Sequence, residues 1–222
     1  MQSLVIVGAG GFGREVYTWA NQCAECQRDW TIKGFLDDNR QALDSFDYPV
    51  PILAGIRDYQ PAAGEVFLCG QAIPAVKQAC ATALKQRGAA FISLIHPTAI
   101  IGHQVELGEG VVICPRATLT CDIRIGNFVT LNIGASVGHD VRIGDWVTLC
   151  GDSNLSGHVQ VGQGTFIAPH ACALPKAVIG EQAFIGTGSI VLKNTPASTT
   201  VFGTPARPVP SLKKTKTSHT SL

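Results

Sequence analysis

The chain has 222 residues, of which 45% are hydrophobic and only 15% are charged, and its net charge is +1. This balance argues against a polyanionic partner, so we expect no nucleic-acid binding. No apolar stretch is long enough to span a membrane, and residues 4–7 are too short an apolar run for a signal peptide. A cytoplasmic protein without membrane insertion is therefore expected.

The eight cysteines are scattered and do not show the spacing of a disulfide framework. Cys23 and Cys26 make a C-x-x-C motif, but it lies inside a predicted helix and no second pair completes a zinc site. We expect reduced thiols that pack as small apolar groups.

Residues 1–97 have the pattern of a small α/β domain, in which apolar runs alternate with helical stretches. Such alternation predicts a parallel sheet covered by helices on both faces. The predicted elements are strands at 4–7, 32–36, 66–69 and 91–95, and helices at 14–26 and 75–86.

A glycine-rich loop, G-x-G-x-x-G over residues 8–13, lies between the first strand and the first helix. In such loops, N–H groups at the helix start hold a pyrophosphate, and an acid after the second strand takes a sugar hydroxyl. A domain of this length builds only one mononucleotide half, so a nucleoside diphosphate with an attached group is favoured over NAD. The alternative is a loop that only packs helix on strand. The predicted nucleotide-sugar contacts are Gly10, Gly11, Phe12, Asp37, Asp38 and Gly70.

From residue 101 to about residue 195 the sequence repeats every six residues. Each six has one aliphatic position, a second small or β-branched residue two positions earlier, and often a glycine one position later. The alternation is the period of a strand, and we expect the glycine to relieve backbone strain in the bend that follows. One six cannot bury its apolar side alone, so the sixes must stack into a solenoid. The aliphatic positions are Ile101, Leu107, Ile113, Leu119, Ile125, Leu131, Val137, Ile143, Leu149, Leu155, Val161, Ile167, Ala173, Ile179, Ile185 and Val191.

Over roughly residues 3–209 these features resemble the NeuD/PglD-type sugar acetyltransferases, which are hexapeptide-repeat enzymes. The resemblance is carried by GAGGFG at 8–13, FLDD at 35–38, LIHP at 94–97, GHDVRIGD at 138–145 and FGTPAR at 202–207. The family includes N-acetyltransferases of UDP-4-amino sugars and O-acetyltransferases of sialic acid, which serve glycan and polysaccharide biosynthesis.

The resemblance implies an α/β plus all-β fold with two domains. A small Rossmann-like, nucleotide-sugar-binding domain at 1–97 would precede a left-handed parallel β-helix at 98–207, with three sixes in each triangular coil. It also implies acetyl-CoA as co-substrate, no metal cofactor, and a homotrimer with active sites between neighbours. Residues 208–222 lose all periodicity, and we expect a disordered tail.

His139 lies in a bend two positions after Val137, so its side chain should point outward at a corner of the solenoid. The resemblance implies that His139 is the general base and that Asp140 raises its basicity. Such a base takes the proton of an amine or hydroxyl that attacks the acetyl thioester. The alternative is an exposed histidine without a role.

Residues eighteen apart should lie ~4.8 Å apart on successive coils. His158 should therefore lie over Asp140, and His103 two coils below His139. His170 falls on another corner, so one chain does not bring three histidines together. We therefore expect no metal site, unless a neighbouring subunit supplies a third ligand.

The later coils are poor in charge, which favours a coenzyme site there. Many relatives carry a second histidine nine residues after the first, where it contacts acetyl-CoA, but this chain has threonine at that position. Phe166 and Phe184 are eighteen apart and should stack on an outward face, which indicates contact with another subunit. Arg207 and Lys193 are candidates for coenzyme phosphates. The predicted acetyl-CoA contacts are Thr148, Gly157, Pro169, Gly186 and Thr187.

The favoured function is acetyl-CoA-dependent N-acetylation of a nucleotide-linked deoxysugar, with a UDP-4-amino sugar as the expected substrate. One alternative is an O-acetyltransferase of sialic acid or another sugar. A second is a non-catalytic β-helix that binds a nucleotide sugar as a scaffold.

Overall fold

The computed structural model describes residues 2–24 and 30–209. Its N-terminal part is a five-stranded parallel sheet in the order β3-β2-β1-β4-β5. The four residues at the end of β1 are fully buried, as expected for the central strand of a covered sheet. The elements are β1 (Gln2–Val7), α1 (Gly11–Ala24), β2 (Trp30–Leu36), β3 (Ile52–Ala54), β4 (Glu65–Cys69), α2 (Pro74–Lys85) and β5 (Ala90–Phe91).

This arrangement confirms the predicted α/β unit, with differences at the element ends. Helix α1 begins at Gly11, inside the glycine loop, rather than at Arg14. Cys26, the second cysteine of the C-x-x-C motif, lies outside the described residues. No helix in the described part of the chain is both long and apolar enough to cross a bilayer.

The predicted last strand at 91–95 is wrong, because the chain leaves the sheet in the middle of it. Phe91 pairs with Phe67 in the α/β sheet, whereas Leu94 pairs with Val112 in the solenoid. The α/β sheet therefore ends at Phe91, and the solenoid begins at Leu94.

The solenoid is a left-handed parallel β-helix of triangular section, whose three sheets we call the first, second and third faces. The first face contains β6 (Leu94–Ile95), β9 (Val112–Ile113), β12 (Thr130–Leu131), β15 (Thr148–Leu149), β18 (Phe166–Ile167), β21 (Phe184–Ile185) and β23 (Thr200–Phe202). The second contains β7 (Ile100–Ile101), β10 (Thr118–Leu119), β13 (Ser136–Val137), β16 (Asn154–Leu155), β19 (Cys172–Ala173) and β22 (Ile190–Val191). The third contains β8 (Val105–Leu107), β11 (Ile123–Ile125), β14 (Arg142–Ile143), β17 (Gln160–Val161) and β20 (Val178–Ile179).

The predicted register of the β-helix is confirmed. Residues that pair between successive coils are eighteen positions apart, for example Thr118 with Ser136 and Phe166 with Phe184. Eighteen residues make one coil of three six-residue repeats. From Ile113 to Val191 every recurring aliphatic position is buried in one continuous core. Ile101 is 36% exposed, because it lies in the first strand of the second face, where no earlier coil of the β-helix covers it.

The glycines that follow the aliphatic positions have a different role from the one predicted. In each bend, the residue with positive φ lies two positions after the glycine position. Such residues recur every six positions from Gln104 to Gly188, and most of them are not glycine. A Cβ on Gly108 would lie 2.6 Å from the backbone of Gly126, and one on Gly144 would lie 2.8 Å from Gln163 N. These glycines therefore permit close approach of successive coils.

The α/β unit docks on the first face of the β-helix through α2 and β5. Lys77 of α2 is 1% exposed, and its Nζ donates to Thr130 Oγ1 at 2.9 Å, Thr148 Oγ1 at 3.0 Å and Val147 O at 3.2 Å. Burial lowers the pKa of Lys77 to about 8. Beside it, the ring of Phe128 packs edge-on against Phe91 of β5. This contact fixes the α/β unit, and with it the glycine-rich loop, relative to the β-helix.

The chain closes its last coil with β24 (Arg207–Pro208), which runs antiparallel to β23. Val209 N donates to Thr200 O at 2.9 Å. The first two residues of the predicted tail are therefore part of the fold, and residues 210–222 lie outside the described part of the chain.

Candidate active site

His139 lies at the corner of the β-helix where the second face, ending in β13, turns into the third, beginning with β14. Its side chain is 56% exposed, and Nδ1 lies 2.8 Å from Asp140 Oδ2. Asp140 has φ +60, and this left-handed turn sets its carboxylate beside the preceding imidazole. The hydrogen bond from His139 lowers the pKa of Asp140, so the carboxylate is charged at neutral pH.

His158 completes this corner from the next coil, as the stacking predicts. Its Nε2 lies 3.7 Å from Asp140 Oδ2, and its ring is perpendicular to that of His139 with centroids 5.0 Å apart. The backbone holds the two coils together, since His158 N donates to His139 O at 2.9 Å. His139, Asp140 and His158 thus place three potential ligand atoms within 4.8 Å of one another. The cluster contains two histidines and one aspartate, so it forms without the third histidine on which the expectation of no metal site rested.

Gly157 forms the floor beneath the His139 ring. A Cβ at Gly157 would lie 2.5 Å from His139 Nε2. Only glycine therefore leaves the imidazole in this position, and the coenzyme contact at Gly157 stays a prediction.

The glycine loop of the α/β unit divides into two kinds of glycine. A Cβ on Gly13 would strike Gly8 O, and one on Gly70 would lie 2.7 Å from Gly13 Cα. These three glycines are explained by the close packing of α1 on the sheet. Gly10 and Gly11, in contrast, are exposed, and a Cβ there would meet nothing within 4 Å. Packing of helix on strand therefore accounts for Gly8, Gly13 and Gly70. It does not account for Gly10 and Gly11, which leave space for a ligand at the start of α1.

The two aspartates after β2 hold the loops around this position. Asp37 Oδ2 accepts from Ala9 N and Oδ1 accepts from Asn39 N, both at 2.8 Å, so this carboxylate fixes the glycine loop. Asp38 is exposed; its Oδ1 accepts from Ile56 N at 2.8 Å, and Oδ2 lies 3.8 Å from Arg57. Phe12 is half-buried and packs against the α/β core, and its contact with a ligand stays a prediction.

A cavity of about 420 Å³ lies between the first turn of α2 and the first face of the β-helix. The sequence did not predict this cavity. One wall belongs to the α/β unit and the other to the β-helix, and no sequence pattern shows how these two parts pack together. Gln71, two residues before the lining residue Ile73, has its side chain against Gly8 of the glycine loop. Within the described part of the chain, no lining residue carries a charge. The lining is Ile73, Pro74, Ala75, Gln78, Trp146, Gln163, Gly164, Phe166, Gln182, Ala183 and Phe184.

The predicted stack of Phe166 and Phe184 is present in this cavity wall, with ring centroids 5.2 Å apart and an interplanar angle of 6°. Phe202, which the sequence analysis did not include, extends the stack at 6.0 Å from Phe184. Phe184 remains 37% exposed and Phe202 42% exposed. The three stacked rings thus lie on the first face, in later coils than Thr130 and Thr148, which the α/β unit covers.

The predicted acetyl-CoA contacts are not brought together within one chain. Thr148 is 1% exposed and donates to Ala72 O at 2.7 Å, so its assignment as a coenzyme contact is wrong; it belongs to the dock of the α/β unit. Pro169 and Thr187 are exposed at the corner between the first and second faces, away from His139. Gly186 lies at that corner under the ring of Phe202 and is buried. Of the predicted set, only Gly157 shares the corner of His139.

The comparisons with known proteins extend this description. The family model of the PglD N-terminal domain matches residues 3–70. The structure of WeeI from Acinetobacter baumannii AYE is 29% identical with a TM-score of 0.72, and the match covers 94% of this chain and 100% of that one. PerB from Caulobacter crescentus, in complex with CoA and GDP-perosamine, is 26% identical with a TM-score of 0.82 over 95% of this chain and 98% of that one. No curated protein matches the chain.

The acetyltransferase domain of PglB from Neisseria gonorrhoeae FA1090 superposes with a TM-score of 0.85 over 94% of this chain and 100% of that one. At 23% identity this likeness supports the fold alone.

Proposed function

Because the chain belongs to the NeuD/PglD-type family of sugar acetyltransferases, we propose that it acetylates the amino group of a nucleotide-linked deoxysugar, with His139 as general base. The chain is an acetyltransferase, and its acyl donor is acetyl-CoA. A UDP-linked 4-amino sugar is the proposed substrate. The observation that carries the catalytic part of the proposal is the 2.8 Å hydrogen bond between His139 and Asp140, and the open Gly10 and Gly11 at the start of α1 support the nucleotide part.

The geometry at His139 supports its role as the base. With Asp140 accepting from Nδ1–H, the lone pair of the neutral imidazole is on Nε2, above Gly157. The amine of the sugar attacks the thioester carbonyl, forming a C–N bond, and Nε2 takes a proton from the nitrogen. The C–S bond then breaks, and the CoA thiolate leaves and takes up the proton. Asp140 stabilises the imidazolium between these two steps.

The nucleotide end of the substrate would be held by the α/β unit. Open N–H groups at Gly10 and Gly11 and the dipole of α1 favour the diphosphate. The exposed carboxylate of Asp38 is a candidate for the nucleoside hydroxyls. The adjoining cavity would then receive the sugar, with apolar walls for a deoxy carbon and the amides of Gln78, Gln163 and Gln182 for its polar groups.

The nucleotide loop and the base lie on opposite sides of one chain. The α/β unit covers the first face, whereas His139 lies at the corner opposite that face, between the second and third faces. A complete site therefore requires the His139 corner of a second copy to face the cavity of the first. Such a head-to-tail contact uses two different surfaces and closes into a ring, which is consistent with the proposed homotrimer.

The sialic acid alternative is less well supported by the cavity. Sialic acid carries a carboxylate, and a buried carboxylate needs a cation or several hydrogen-bond donors. Among residues 2–24 and 30–209 of one chain, no arginine or lysine lines the cavity. A non-catalytic scaffold is not retained, because the chain is an acetyltransferase.

The experiment is a substrate panel in which release of CoA from acetyl-CoA is followed for UDP-, dTDP- and GDP-linked 4-amino sugars and for free sialic acid. We expect turnover with a nucleotide-linked amino sugar, fastest with the UDP form. Turnover with sialic acid alone would overturn the proposal.

A further inference from the structure

We propose that His139, Asp140 and His158 bind a zinc-class divalent cation, and that the bound cation inhibits acetyl transfer. The three residues offer two imidazole nitrogens and one carboxylate oxygen within 4.8 Å of one another. Two imidazoles with one carboxylate favour zinc and its first-row neighbours over magnesium and calcium, which prefer oxygen ligands.

The two distances from the shared carboxylate to the imidazole nitrogens fit such an ion with small adjustments. Ligands held at about 2.1 Å in a tetrahedral site lie roughly 3.4 Å from one another. Asp140 Oδ2 is 2.8 Å from His139 Nδ1 and 3.7 Å from His158 Nε2, and these distances bracket that value. The side chains of His139, Asp140 and His158 are 56%, 41% and 50% exposed, so their rotamers can adjust and water can supply a fourth ligand.

The scaffold already holds the two histidines on neighbouring coils. The hydrogen bond from His158 N to His139 O fixes their backbones at 2.9 Å. The perpendicular rings direct different edges toward the shared carboxylate. Little backbone order therefore has to be gained when the ion binds, which favours affinity.

Inhibition follows from the tautomer of His139. An ion on Nδ1 displaces the proton that Asp140 accepts, and the neutral imidazole must then carry its hydrogen on Nε2. The lone pair that would accept the amine proton is lost, and Asp140 is withdrawn to the ion. The binding part of the inference stands on geometry alone, whereas the inhibition rests on the proposed role of His139.

The binding test is calorimetry of the full chain with Zn²⁺ alone, supported by the visible absorption of Co²⁺. We expect one ion per chain, with affinity reduced at least about ten-fold in His158→Gln. Asp140→Asn is the second variant in case the first does not fold. His170→Gln is the matched control, because His170 also occupies a left-handed corner position, φ +57 against φ +62 for His158, but on another corner. Unchanged zinc affinity in His158→Gln and Asp140→Asn would overturn the site.

The inhibition test follows CoA release with increasing Zn²⁺ and then adds EDTA. We expect reversible loss of activity in the unmodified chain and in His170→Gln over the concentration range of binding. Full activity at saturating zinc would overturn the inhibition while leaving the binding result intact. Absence of turnover without zinc would instead count against the proposed function.

Discussion

Gly157 lies directly beneath the imidazole of His139, and a Cβ at this position would come within 2.5 Å of Nε2. The atom it would meet is the end of a half-exposed side chain, so the ring can move aside at little cost to the fold. We predict that Gly157→Ala leaves the melting temperature nearly unchanged and lowers kcat/KM by ~10–100-fold, since small displacements of a reacting group are costly.

The matched control for this prediction is Gly151→Ala, whose Cβ would make only an ordinary contact, 3.5 Å from Ile133 O. It should keep both stability and activity. If Gly157→Ala retained full kcat/KM, the position of the His139 ring would not matter for the reaction.

The two kinds of glycine in the nucleotide loop should respond differently to substitution. Gly10→Asp places its side chain in open space, so the chain should fold normally and bind UDP more weakly, because a carboxylate repels the diphosphate. Gly13→Ala forces a methyl group against Gly8 O and should lower stability by about 1–3 kcal/mol. Thermal unfolding and calorimetry with UDP measure the two effects. Normal UDP affinity in Gly10→Asp would remove the open pair from the nucleotide site.

The buried Lys77 should make stability depend on alkaline pH. Its pKa falls from 10.5 to about 8 on folding because burial disfavours the charged form, so between these values the unfolded chain binds more protons. Stability from this group therefore rises as pH increases from about 8 to 10.5, by about 3 kcal/mol in total. The thiols of buried Cys69 and half-buried Cys150, whose pKa values desolvation raises to about 11, act in the opposite direction.

The measurement is therefore a difference between the unmodified chain and Lys77→Met, obtained from denaturant unfolding at several pH values. Lys77→Met should lack the rising contribution. Parallel stability curves for the two proteins across this range would show that folding does not lower the pKa of Lys77.

The proposed shared site predicts complementation between two impaired chains. His139→Ala lacks the base and Gly10→Asp binds the nucleotide weakly, yet a mixed oligomer can combine the intact loop of one copy with the intact base of another. We predict that co-expression restores acetyl transfer well above the level of either variant alone. Purified mixed oligomers that remain as inactive as the separate variants would place a complete site within each chain.

Much of the fold was predictable because a six-residue sequence repeat specifies the β-helix. One aliphatic residue in every six, from Ile113 to Val191, specifies strand, bend and coil length together, and the outward position of His139 follows from that register. The contact of His158 with Asp140 follows from the same eighteen-residue spacing.

The features that could not be predicted are those made between distant parts of the chain. Thr148 has the alternation of an outward residue, but the α/β unit covers it, and Lys77 in α2 gives no sign of this partner seventy-one residues away. The strand predicted at 91–95 likewise divides between two sheets, because an apolar run does not show which sheet it joins. Gly108 and Gly144 are needed because the backbone of the next coil comes close to them, and the sequence of a single bend does not show that contact.

The central claim is that His139 accepts the proton of the amine, and the most direct measurement is the rate of CoA release by His139→Ala with a UDP-linked 4-amino sugar. The account predicts a fall in kcat of ~10²–10⁴ with little change in KM, and a smaller fall for Asp140→Asn, which only removes the charge beside the base. His103→Ala, two coils away at the same corner, should retain activity. A fully active His139→Ala enzyme would contradict the account.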